Sequence, residues 1–118
     1  VYDSARVCDD AKVRENACVF RGACVSGYSV VEGDAQVFGR AQIFNSARVF
    51  DHARVYDDAC VYNSAEVSGR ACVFGHAHVY REAHVSGSAL VYEYARIFGF
   101  IQVSGETQIH GNGQMCGL

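Results

Sequence analysis

Apolar residues recur along this chain every six positions. Between Asp34 and Val61 the sequence reads DAQVFGRAQIFNSARVFDHARVYDDACV, with Ala35, Ala41, Ala47, Ala53 and Ala59 in step. An aliphatic follows two residues after each alanine: Val37, Ile43, Val49, Val55 and Val61. An aromatic comes next at Phe38, Phe44, Phe50, Tyr56 and Tyr62. The period runs from Val1 to Leu118 without insertion or deletion. Alternation at period two means strand, so Ala-x-Val-x is expected to be a four-residue strand whose first and third residues face inward. The first position departs from Ala only at Ser29, Ile101, Thr107 and Gly113, and the third is always aliphatic or Met. The two inward polar residues, Ser29 and Thr107, are small, so a packed interior without a ligand cavity is expected.

The fifth position of the hexad explains the turn. It is mostly Gly, Asp or Asn, as at Gly27, Gly33, Asn45, Asp51, Asn63 and Gly69. These residues tolerate the positive φ that a sharp corner needs. Four strand residues and two corner residues in constant register cannot make a stack of hairpins. They make a coil that bends the same way every six residues. Proline is absent, as the strands of a continuous ladder require.

Read as Val37-Phe38-Gly39-Arg40-Ala41-Gln42, the hexad resembles that of the hexapeptide-repeat, left-handed parallel β-helix superfamily. The resemblance covers the whole chain. It is closest to repeat-rich bacterial and phage proteins of the Ala-x-Val-x-Gly type, which lack a recognised active site. The departure is the aromatic before the Gly, which moves Gly one place on. The resemblance implies left-handed winding, a triangular cross-section and eighteen residues per coil, hence about six and a half coils. At about 4.8 Å per coil this is a prism on the order of 30 Å long.

Stacking at eighteen turns the sequence into outward columns. One carries Tyr2, Phe20, Phe38, Tyr56, Phe74 and Tyr92, then His110. A second carries Cys8, Ser26, Phe44, Tyr62, Tyr80, Phe98 and Cys116. The third carries Arg14, Glu32, Phe50, Ser68, Ser86 and Ser104. Stacked aromatics stabilise a sheet in any case. A continuous strip also exceeds the patch a monomer usually exposes, which points to lateral association.

Composition narrows the chemistry. A net charge of -3 with scattered signs excludes a basic nucleic-acid footprint. No apolar run is long enough to span a membrane. Val1 begins mid-repeat without Met, so a fragment or processed product of a longer repeat array is expected, with 1–118 a single β-helix domain. The columns hold Cys24 and Cys60 two coils apart and Cys18 and Cys72 three apart, too far for disulfides. Thiols and a reducing, cytoplasmic setting are therefore expected. The resembled acyltransferases use a His base beside a projecting corner loop, and no corner here carries an insertion. The resembled γ-class carbonic anhydrases use two zinc histidines five residues apart, a spacing absent among His52, His76, His78, His84 and His110. Stacking does bring Asp58 beneath His76 and Cys60 beneath His78. That is a low-ranked metal cluster, opposed by Arg40 and Arg96 in the same columns.

The expected function is a non-enzymatic structural or interaction protein without cofactor. It is a rigid rod that assembles with protein, itself first, through the aromatic face or its ends, and not with nucleic acid or membrane. The final coil keeps its apolar column in Val103, Ile109 and Met115, without a charged cap. The alternative is a trimeric hexapeptide-repeat acyltransferase truncated of its loops.

Overall fold

The computed structural model describes residues 4–117, so Tyr2 lies outside the described residues. The chain winds as a parallel β-solenoid of about six turns, with each coil contributing one strand to each of three sheets. Sheet 1 starts with Arg6–Val7 and ends with Gln114–Gly117. Sheet 2 runs from Lys12–Val13 to Gln102–Val103, and sheet 3 from Cys18–Val19 to Gln108–Ile109. Every pairing is parallel at an offset of eighteen residues, for example Cys60 with His78 and Val73 with Val91. The particle measures 33 × 22 × 20 Å.

The strands are shorter than the alternation suggests. Most span two residues, the second and third of the hexad. The reason is the corner. From Ala11 to Ala95 the N–H of each first-position alanine donates to the carbonyl of the preceding fourth residue, as in Ala41 to Phe38 at 3.4 Å and Ala59 to Tyr56 at 3.3 Å. This closes a four-residue turn and takes the alanine N–H out of the ladder, while its carbonyl still accepts from the neighbouring coil, as Ala41 does from Cys24 at 3.0 Å. The turn's second residue has positive φ at every corner from Asp9 to Gly111, nine glycines and nine other residues. Positive φ there, followed by an ordinary residue, is the type II′ arrangement. The left-handed region costs an L-residue about 1–2 kcal/mol, yet Arg21, Arg81, Glu15 and Glu93 all adopt it.

The interior is two residue types deep. From Val19 to Ile97 the aliphatic column is fully buried, and so are the alanines from Ala23 to Ala95. Ser29 is also fully buried; its hydroxyl donates to the Asn45 carbonyl at 3.4 Å. Thr107 departs from the inward expectation. It is exposed in the last coil, with its hydroxyl donating to the Ser104 carbonyl at 2.8 Å. Among the described residues no helix is long and apolar enough to cross a membrane.

Candidate functional site: the outer columns

With the core filled by Ala and Val, distinctive chemistry sits on the three outer faces. On sheet 3 the fourth-position side chains form a ladder. Phe20 and Phe38 stack at 4.9 Å, as do Phe38 and Tyr56, then Tyr56 and Phe74. Phe74 and Tyr92 follow at 5.0 Å, and His110 closes the column at 5.2 Å. Sheet 1 carries the shorter ladder Phe44, Tyr62, Tyr80 and Phe98 at 4.8–5.0 Å. Ring planes in the Phe20–Tyr92 ladder differ by 1–7°. Ordinary sheets twist about 20–25° per strand, so these rings track a nearly flat face. Stacking also turns ring faces against one another and leaves edges outward. A sugar platform needs open ring faces, so the ladder interior offers none.

The faces differ in charge. On the strands of sheet 3 the outward residues are Cys18, Gln36, Arg54, Cys72, Leu90 and Gln108, one charge in six positions. Sheet 2 is ionic. Arg14 pairs with Glu32 at 3.4 Å, and Arg48 with Glu66 at 3.8 Å. Glu66 is met from the next coil by His84 at 3.2 Å. The edge between sheets 3 and 1 repeats the alternation: Arg40 lies 3.0 Å from Asp58, and Asp58 3.8 Å from His76. His52 pairs with Asp34 and His110 with Glu93, each at 3.5 Å. These pairs are partly exposed and contribute little each, roughly 0–1 kcal/mol. In two of these columns a slip of one coil would set arginine against histidine, Arg40 against His76 and Arg48 against His84, so the alternation favours the observed register there.

Of the four residues of the metal cluster only Asp58 and His76 pair with each other through their side chains. His78 shares a hydrogen bond between its Nδ1 and the Tyr62 hydroxyl at 3.4 Å, and the Cys60 thiol donates to the Asp58 backbone carbonyl at 3.9 Å. Burial, then the charges of Arg96 and His76, hold the His78 pKa below its ordinary value. Burial and then Asp58 push the Cys60 thiol up, away from the thiolate a metal would need. Among the described residues no group of three or more His, Cys, Asp or Glu side chains is placed to hold a metal ion.

Family models, curated proteins and solved structures yield no match to this chain.

Two features were missed in the sequence. Tyr28, Tyr94 and Phe100 stand out from the corners at 69%, 61% and 69% exposure. Tyr94 stacks on His76 at 5.0 Å, and Phe100 walls an open groove of about 500 Å³ that also includes Arg81, Glu82 and Cys116. All three occupy the sixth hexad position, where most residues are polar. The second feature is at the corners. Asp9, Glu15, Asp51, Asp57 and Glu93 each accept the backbone N–H of a glycine one coil on, at 2.9–3.2 Å. Asn45 does the same for Asn63, and Asn63 for Arg81. The legible signal was an acid at the fifth position with Gly eighteen residues later.

Proposed function

We propose that the protein is a non-catalytic rod of the hexapeptide-repeat type that joins to a second copy of itself through sheet 3. The observation that carries this reading is the Phe20–Tyr92 ladder on a flat face whose strands hold a single charged side chain, Arg54. Sheet 2, studded with ion pairs, is suited to stay in water. The occupant is a second copy because an identical ladder has the same rung spacing, so ring edges can meet ring edges along its length. A face of 33 × 20 Å would bury about 1,300 Å² in two copies, at the lower end of stable interfaces. The thiols fit a reducing compartment.

The test is light scattering on the wild type and on Phe38→Ser/Phe74→Ser. The double variant keeps every inward residue, so its fold should survive, which circular dichroism checks. The wild type should double its mass at high micromolar concentration while the variant stays monomeric. A monomeric wild type, or equal assembly of both proteins, rules the reading out.

A further inference from the structure

We propose that the two copies meet antiparallel, in the register that sets Cys18 of one copy opposite Cys72 of the second copy. This rests on the self-association reading above and adds its geometry. Closed two-fold pairing is the usual solution for two identical chains. Two kinds of axis bring sheet 3 onto sheet 3. An axis along the rod and midway between the columns lays the aromatic column of one copy on the Cys18–Gln36–Arg54 column of the other; shifted onto the rings, it leaves that second column uncovered. An axis across the rod, within the interface, maps each column onto itself with its rungs reversed, so rings meet rings. The aromatic ladder selects the second.

Arg54 then selects the register. Counting rungs from Phe20 as the first, Arg54 lies on the third. None of the ion pairs among the described residues includes it. A guanidinium covered without an acceptor is strongly unfavourable. Third rung on third sets Arg54 against Arg54. Third on first or on fourth sets it against a thiol, Cys18 or Cys72, and third on fifth against Leu90. Third on sixth reaches Gln108 but leaves Phe20 and Phe38 uncovered. Third on second sets Arg54 against Gln36, whose carboxamide oxygen accepts, and covers both rings.

That register was chosen on rings and one cation, yet it also arranges the flanks. Arg40 falls opposite Asp58 of the second copy, and Asp34 opposite His52. Phe20 meets Phe74, and Phe38 meets Tyr56. No like charges face each other on these four rungs. The two cysteines of sheet 3, Cys18 and Cys72, come face to face twice across the axis. With about two-thirds of the face overlapped, the buried area falls below about 1,200 Å², the range of weak and reversible pairs.

The experiment treats the full 118-residue chain, at a concentration where light scattering reports doubled mass, with a bismaleimide too short to span three coils. Each thiol adds across a maleimide double bond, its proton passing to the adjacent carbon, so no oxidant is needed. The expected product is a denaturation-resistant dimer whose linked peptides contain Cys18 and Cys72. Cys72→Ser should abolish it, and Cys60→Ser, on sheet 1, should not. A non-covalent dimer that yields no Cys18–Cys72 link, or links Cys18 to Cys18, overturns the register and leaves self-association standing. A monomer in light scattering overturns both.

Discussion

Gly39 and Gly105 are the same residue in the same backbone conformation, with φ +71° and +69°, but only one has a coil above it. A Cβ at Gly39 would come 2.8 Å from the Asp57 nitrogen and 3.2 Å from its Cα, whereas at Gly105 nothing lies within 4 Å. Gly105→Ala therefore carries the left-handed penalty alone, about 1–2 kcal/mol. Gly39→Ala adds overpacking against backbone, about 1–3 kcal/mol more. The entropy that alanine removes from the unfolded chain is common to both and cancels in the comparison. At roughly 4 °C per kcal/mol, thermal melts followed by circular dichroism should separate the two variants by about 4–12 °C. Gly39→Asn supplies the control. Asn tolerates positive φ, and its side-chain oxygen can accept the Asp57 N–H, as Asn45 accepts that of Asn63 at 3.2 Å. That hydrogen bond is worth about 0.5–1.5 kcal/mol, so Gly39→Asn should melt above Gly39→Ala. Equal melting of the two alanine variants, with no recovery by Asn, would refute the corner-stacking argument.

Val55→Asp places an unpaired carboxylate in the fully buried column and should abolish the cooperative melt; a near-wild-type transition would mean the inward register is wrong. Thiol titration of the unfolded, unreduced chain should find six thiols. In the folded protein Cys60 and Cys72 should react more slowly than the exposed Cys8, because burial raises both pKa values and depletes their thiolates; faster reaction at Cys60 and Cys72 contradicts this. His78 has a folded pKa below the ordinary 6.5, so the folded state resists a proton that the unfolded chain accepts. Its contribution is fully present above 6.5 and falls as pH drops through 6.5 toward the folded value. Stability of the wild type should thus fall more steeply over that window than that of His78→Asn, measured by urea unfolding; identical pH slopes would contradict the assignment.

The identity of the buried columns was legible because one hexad repeats without insertion or deletion, while the three sheets and their offset of eighteen were what the resemblance to hexapeptide-repeat β-helices implied. Each Ala and Val reports the same constraint many times. The corners were legible only in backbone terms. Gly, Asp and Asn announced positive φ, but Glu15, Arg21, Arg81 and Glu93 adopt it too, against their own preference. What Asp57 does with its side chain depends on the N–H of Gly75, one coil away, and no local rule reports that. The aromatic columns followed directly from the spacing. The charge alternation Arg40, Asp58, His76 emerges only when the columns are read for sign. Phe100 was overlooked because scattered apolar residues at a mostly polar position carry no periodic signal.

Small-angle X-ray scattering over a concentration series tests the central claim, a rod that pairs side by side, most directly. A monomer has a mass of 12.8 kDa, a Cα radius of gyration of 12.4 Å and a long axis of 33 Å. The account predicts that mass doubles with concentration while the longest dimension grows by far less than a second rod length. Doubling of mass with doubling of length would place the contact at the ends, and a mass that never rises would leave the aromatic face without its partner.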